Sequence, residues 1–198
     1  MNSSQQGVRR EVLDVAARLL NEEGPAALTA RRLAAEAGTS TMAVYTHFGG
    51  MPALVREVIV EAFTRLGDHL ATVTPGEDTL DDLRRLAIAY RQNALDNPHL
   101  YAVMFGTVPL GRYRPQPEEP ELGRYTFDVL VDGTRRAMLA GRLAPGDAEH
   151  VAAQLWSALH GYVMLELAGF LGEDEGASEH VLWPMLTNLV TALAVAPT

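Results

Sequence analysis

Apolar residues recur at three- and four-residue steps along almost the whole chain, while the alternating, β-branched runs that make strands are nearly absent. Such a chain buries its apolar surface by packing helix against helix, so the fold class is all-α, with about nine helices. Val8, Val12, Val15, Ala16, Leu19 and Leu20 form the first stripe, which Asn21 to Pro25 ends. Thr29 caps a short second helix that Gly38 stops, as a residue tolerating left-handed dihedrals can. A third follows Thr39 and Ser40 and runs to about His47. Gly49-Gly50 breaks it before Pro52 opens a long fourth helix reaching about Val73. Further helices are expected near 79–96, 98–106, 121–141, 147–171 and 178–195, with Pro98 and Pro145 at helix starts, where a missing N–H costs nothing. Pro184 falls inside the last apolar stripe and must kink that helix or mark its true beginning. The segment from Thr107 to Pro120 holds four of the eleven prolines and is expected to be a mobile loop.

The chain has 198 residues, 47% of them hydrophobic and 21% charged, a balance that supports a folded core rather than disorder. It contains no cysteine, which excludes disulfides, thiolate zinc sites, iron–sulfur clusters and thiol nucleophiles together. No secretory h-region opens it, and the apolar stretch from Val151 to Leu165 is too short to span a membrane, so a cytoplasmic location with no membrane partner is expected. All 16 basic residues are arginine, and 25 acids leave a net charge of -9. That balance argues against a nucleic-acid partner until its distribution is considered. Residues 1–60 hold six arginines and six acids, whereas residues 61–198 hold ten arginines and nineteen acids. A neutral head on an acidic body points to two jobs.

Two short helices joined by a glycine-containing turn describe a helix-turn-helix, whose second helix enters the DNA major groove. Leu33, Val44 and Phe48 would fill the space beneath, small Ala34 would let the helices cross closely, and one face of Thr41, Met42, Tyr45 and Thr46 would stay uncovered. The residues themselves carry a likeness. The run from Gly24 through Leu28-Thr29-Ala30-Arg31-Arg32-Leu33-Ala34-Ala35-Glu36-Ala37-Gly38-Thr39-Ser40 to Val44-Tyr45-Thr46-His47-Phe48, then Leu54, resembles the DNA-binding domain of the TetR family of transcriptional repressors. That resemblance implies a DNA-binding domain over residues 1–50 and a helical ligand-binding and dimerisation domain over 51–198. Asn97-Pro98-His99-Leu100-Tyr101 with Met104-Phe105-Gly106, and Leu155 to Gly161 with Leu165-Glu166, are similar to a subgroup known for a Trp-His-Gly signature.

The resemblance implies roles residue by residue. Arg31 would reach a guanine edge or a phosphate, since its planar fork suits either. Thr41, Met42 and Thr46 occupy positions that face bases in the family, where Met42 and the threonine methyls can meet thymine methyls. Thr29, Thr39, Ser40, Tyr45 and His47 look like phosphate contacts, which fix register without reading sequence. The family usually has a lysine near the start of the fourth helix, and Met51 stands there instead. Phosphate affinity would then rest on few arginines, Arg9 and Arg10 of a flexible N-terminus among them, and on helix N-termini.

In the body, the helices at 147–171 and 178–195 are apolar around most of their circumference. Leu155, Leu159, Val163, Leu167, Val181, Leu182, Met185, Leu189 and Leu193 suggest a two-fold, four-helix interface, so a homodimer through the last two helices is expected. Dimerisation also suits a palindromic double-stranded DNA operator with half-sites about 34 Å apart, or a multiple. Tyr90, Tyr101, Met104, Phe105, Tyr125, Phe127, Trp156, His160, Tyr162 and Met164 supply aromatic and thioether surface suited to a small apolar or aromatic ligand. Trp156 and His160, four apart, share a helix face.

No enzyme signature is found: no Gly-rich phosphate loop, no Gly-x-Ser-x-Gly and no His-Glu-x-x-His. Glu77, Asp78, Asp81 and Asp82 resemble a magnesium-holding cluster only faintly, and acids are favourable at a helix N-terminus in any case. No catalytic residue, metal or cofactor is expected. The sequence therefore reads as a DNA-binding, ligand-responsive repressor, with an all-helical small-molecule-binding or adaptor protein that has lost DNA binding as the alternative.

Overall fold

The computed structural model describes residues 3–105, 119–171 and 176–195, and nine α-helices are found among them, with no strand. They are α1 (Ser3–Glu23), α2 (Ala30–Glu36), α3 (Thr41–Phe48), α4 (Met51–Ala71), α5 (Thr79–Asp96), α6 (Pro98–Met104), α7 (Arg124–Leu139), α8 (Ala148–Leu167) and α9 (Trp183–Leu193). None of the described helices is long and apolar enough to cross a membrane. Of the proline-rich segment from Thr107 to Pro120 expected to be a loop, 107–118 lie outside the described residues, and Glu119 and Pro120 open a 3₁₀ turn.

The chain divides into two compact units, Met1–Arg65 with Asp96–Gly123, and Leu66–Leu95 with Arg124–Thr198. In the first, the α1 stripe buries Val12, Ala16, Leu19 and Leu20, while Leu33 of α2, Val44 of α3 and Leu54 and Val58 of α4 are equally shut away from water. α6 adds Leu100 and Tyr101 to this unit's core. In the second unit Leu66, Leu86, Val131, Ala152, Val163 and Leu182 are buried. Gly133 of α7 lets α5 come close, since a Cβ there would lie 3.1 Å from Leu83 Cδ2. A Cβ on Gly123 would overlap the ring of Phe63, so this position too admits only glycine without rearrangement.

Capping residues set the helix boundaries. Thr29 Oγ1 accepts from Arg32 N at 3.3 Å, Ser40 Oγ from Ala43 N at 3.1 Å and Asp147 Oδ1 from Glu149 N at 2.9 Å, each satisfying an orphan donor worth about 1 kcal/mol. Pro145 is therefore not at a helix start as expected: it lies in the turn before Asp147, and the aspartate is the cap. The helix expected at 121–141 is preceded by a 3₁₀ turn at Glu119–Gly123 and becomes α-helical only from Arg124. Pro184 sits in the first turn of α9, and the residues before it, Ser178–Leu182, form a π-helical turn. The wider turn accommodates a residue that cannot donate, so the apolar stripe continues through a helix whose winding changes.

The first helix starts earlier than its apolar stripe, at Ser3. Arg9 and Arg10, expected on a flexible N-terminus, are instead inside α1. Arg9 is bonded to Glu57 of α4 and stacks over Phe48 at 5.3 Å, and Arg10 pairs with Asp14 at 3.2 Å. Arg9 is thus committed to holding the head together, while Arg10 makes only an exposed pair within α1.

Candidate nucleic-acid interface

The turn between α2 and α3 is made by backbone chemistry. Gly38 takes φ 60°, which allows Thr39 N–H to donate to the Ala34 carbonyl at 2.8 Å and turns the chain sharply after α2. Ser40 then caps α3, and Gly49, at φ 72°, closes it with an N–H to the Tyr45 carbonyl. On this eight-residue helix Val44 and Phe48 point inward, whereas Thr41, Met42, Tyr45 and Thr46 are exposed, Met42 by 72% and Tyr45 by 48%. The contrast gives α3 one anchored face and one presented face. An exposed methionine and tyrosine side by side on a helix held so firmly have no packing role to explain them.

The remaining expected contacts surround this face. Thr29, Arg31 and Ser40 are exposed, and Thr39 and His47 are half-buried. Three hydroxyls already carry structural bonds: Thr29 and Ser40 accept as caps, and Thr46 Oγ1 donates to the Met42 carbonyl at 2.8 Å. Thr29 and Ser40 keep their O–H groups to donate to an acceptor such as a phosphate oxygen, and Thr46 keeps lone-pair capacity for an incoming donor. Arg31 makes no ion pair among the described residues. Its neighbour Arg32 is fully engaged, donating to both Glu23 oxygens at 2.6 and 2.5 Å and to Glu36 at 2.9 Å. Glu36 also accepts from Arg18 at 2.5 Å, and the two guanidiniums hold its carboxyl below the usual range. This four-charge network fixes α2 against the C-terminal half of α1.

In the second unit the structure brings together four of the expected ligand residues. Trp156 Nε1 donates to Tyr90 Oη at 3.0 Å, and Tyr90 Oη shares a 3.0 Å hydrogen bond with His160 Nδ1. The Phe127 and Trp156 rings lie 5.8 Å apart, and Trp156 and His160 5.4 Å apart. Burial pushes the His160 pKa below its ordinary value, which favours the neutral imidazole. Tyr125 is exposed and reaches over Gly67, Met164 is half-buried on α8, and Tyr162 is buried with its hydroxyl 3.4 Å from Glu166. Tyr101, Met104 and Phe105 belong to the first unit, where the Phe105 ring lies edge-on to Tyr101 at 4.9 Å and to Phe63 at 6.2 Å.

Known families match two stretches of the chain, the second of which runs through residues 96–123 of the first unit. The family described as bacterial regulatory proteins, tetR family, matches residues 12–58, and the family described as Tetracyclin repressor-like, C-terminal domain, matches residues 83–189. The chain belongs to the TetR family. An uncharacterised HTH-type transcriptional regulator of Mycobacterium tuberculosis is 28% identical over 189 residues, covering 93% of this chain and 81% of the relative. The HTH-type transcriptional regulator TtgR of Pseudomonas putida is 26% identical over 170 residues, 80% of this chain and 79% of TtgR. Among solved structures, a protein of unknown function from Rhodococcus sp. RHA1 has a TM-score of 0.80 at 28% identity, covering 95% of this chain and 96% of that one.

Few arginines of this head are free of ion pairs among the described residues, and the structure adds one to the expected contacts. Arg56 of α4 is exposed and, like Arg31, has no ion pair among the described residues. It lies one and a half turns beyond Met51, which takes the family's lysine position. Its availability becomes visible only when Arg9, Arg18 and Arg32 are seen to be spent. The acidic cluster at 77–82 also resolves into structural work. Asp78 Oδ1 caps α5 by accepting from Leu80 N at 3.1 Å. Asp82 is fully buried, accepting from Gly76 N at 2.9 Å, from Arg136 at 2.7 Å and from Arg85.

Proposed function

We propose that this TetR-family helix-turn-helix transcriptional regulator is a ligand-responsive repressor, binding a palindromic operator as a homodimer and released by a small apolar or aromatic effector. The observation that carries the DNA-binding part is the presented face of α3. Thr41, Met42, Tyr45 and Thr46 stand exposed over buried Val44 and Phe48, with unpaired Arg31 on the adjoining helix. Thr41, Met42 and Thr46 read base edges, Arg31 takes a guanine or a phosphate, and Thr29, Thr39, Ser40, Tyr45 and His47 hold the backbone. Residues 1–50 act as the DNA-binding domain and 51–198 as the ligand-binding and dimerisation domain, in a cytoplasmic protein with access to chromosomal DNA.

The Trp-His-Gly likeness, carried by Trp156, His160 and Gly161, supports an effector site around the Tyr90, Phe127, Trp156 and His160 cluster, where three aromatic rings and a neutral imidazole offer apolar faces with few polar points. The dimer reading is supported by α9. It is strongly apolar, yet none of its residues is fully buried. Of the nine interface residues expected, Leu155, Leu159, Val163 and Leu182 are buried within the protomer, so the sequence reading assigned too many; Leu167, Val181, Met185, Leu189 and Leu193 stay partly or wholly uncovered.

Selection of duplexes from a random pool tests the reading. The expected product is an inverted repeat whose half-site centres are about 34 Å apart or a multiple. Recovery of no enriched duplex would support instead an all-helical adaptor that has lost DNA binding.

A further inference from the structure

In the first unit, the C-terminal end of α1 meets the junction between α5 and α6. Gly24 ends α1 at φ 78° and ψ -176°, a backbone conformation open to glycine, and the His99 ring lies over it. His99, the second residue of α6, donates Nδ1–H to the Asn21 carbonyl at 2.6 Å. That carbonyl is among the last four of α1, which have no partner within the helix. In return, Asn21 Nδ2 donates at 3.1 Å to the carbonyl of Asp96, the last residue of α5. Pro98 follows and brings no N–H of its own to the junction. Two helix-end carbonyls thus each receive a hydrogen bond from a reciprocal pair of side chains 78 residues apart. The Asn21 amide is held in one orientation, because turning it would set oxygen against the Asp96 carbonyl, and its Oδ1 is left buried without a partner.

The place of this pair gives it consequence. The chain passes between the two units at Arg65/Leu66, at Leu95/Asp96 and at Gly123/Arg124. The first crossing lies within continuous α4, and the third begins at Gly123, which rests on the Phe63 ring. At the second, Asp96 is tied by a directional hydrogen bond, and His99 three residues on by another, to α1, the helix that carries α2 and α3 on its other contacts. We propose that Asn21 and His99 are positioning residues: a clasp that transmits changes at the end of α5 into the orientation of the helix-turn-helix. The proposal rests on the regulator reading above.

Coupling is reciprocal, so DNA can serve as the probe with no effector in hand. Hydrogen exchange of the full-length protein is measured with and without a duplex taken from the random-pool selection. In the wild type the duplex should slow exchange in α2 and α3, and also in the last turn of α5 and in α8, there by about fivefold or more, the lower end of ordinary coupling. In Asn21→Ala and in His99→Phe, duplex affinity and protection of the head should be retained while the slowing in α5 and α8 is lost. His99→Asn, whose amide N–H sits near the position of Nδ1–H, should restore it. A merely structural role would leave the second unit's response intact in all three variants. The clasp is overturned if Asn21→Ala and His99→Phe transmit as the wild type does, or if the wild-type duplex effect stops at the head. A wild type that binds no duplex at all overturns the regulator reading itself, and the clasp with it.

Discussion

Arg31 and Arg32 are adjacent in the chain and opposite in commitment: Arg32 is bound by both oxygens of Glu23 and by Glu36, while Arg31 is exposed with no ion pair among the described residues. Replacing the two should therefore have different effects. Arg31→Ala is expected to leave the melting temperature unchanged and weaken operator binding. If Arg31 grips a guanine, the loss is about 1–3 kcal/mol and specificity relaxes at one position; if it grips a phosphate, all sequences weaken alike. Arg32→Ala should lower thermal stability. A binding titration across single-base variants of the operator, beside a melting curve, separates the cases.

The scarcity of free cations predicts how binding responds to salt. Arg31 and Arg56 are unpaired in each head, so a dimer neutralises about four phosphates with side-chain charge. At about -0.9 per neutralised phosphate, the slope of log K against log salt should be about -4, and no steeper than about -8. Gel-shift affinities between 50 and 200 mM salt, in the range where such slopes are ordinarily taken, provide the measurement. In Arg56→Ala the slope should flatten by about 2 per dimer, one charge lost from each head.

The helical class, the cap at Thr29 and the outward face of α3 were all legible in the sequence, because each depends on local spacing or on one residue's own chemistry. What escaped depends on pairing at long range. The Arg18 to Glu36 bond spans 18 residues and the Arg9 to Glu57 bond 48, and no periodicity announces either. Without them, Arg9 looks like a mobile phosphate contact. The ligand residues were legible as types and not as places, since rings selected for chemistry alone fell into two different units. The excess of expected interface residues has the same source: an apolar stripe on α8 shows that one face is covered, but not whether its own chain or a second copy covers it.

Asp82 predicts the response to acid. Burial raises the carboxyl's pKa, but hydrogen bonds from Arg136 and Gly76 outweigh it, and the folded value lies below the ordinary one. A depressed folded pKa means stability that is complete above the unfolded value, near 3.9, and is lost as pH falls through the folded value. Glu36, lowered by Arg18 and Arg32, acts with the same sign. Thermal stability should therefore decline as pH drops below about 4, and Asp82→Asn should remove part of that decline. At pH 7 the same substitution exchanges charge-assisted bonds for neutral ones and should cost about 1.5–3 kcal/mol, while the half-exposed Arg136 can recover water.

The apolar surface of α9 yields the prediction most directly tied to operator geometry. Met185 and Leu189 are four residues apart, hence on one face, and both remain partly exposed on a helix that fully buries nothing. A specific, stable protein–protein interface buries at least about 1,200–2,000 Å² in total, and a charge at the centre of such a face must be desolvated without a partner. Leu189→Arg should therefore leave the protomer folded, with helical content unchanged, and shift the protein to monomer in light scattering at micromolar concentration. Since one head contacts only one half-site, the monomer should also lose the preference for an inverted repeat over a single half-site. A Leu189→Arg protein that stays dimeric would place the two-fold contact elsewhere on the molecule. A monomer that keeps the preference would show that pairing on DNA does not need this face.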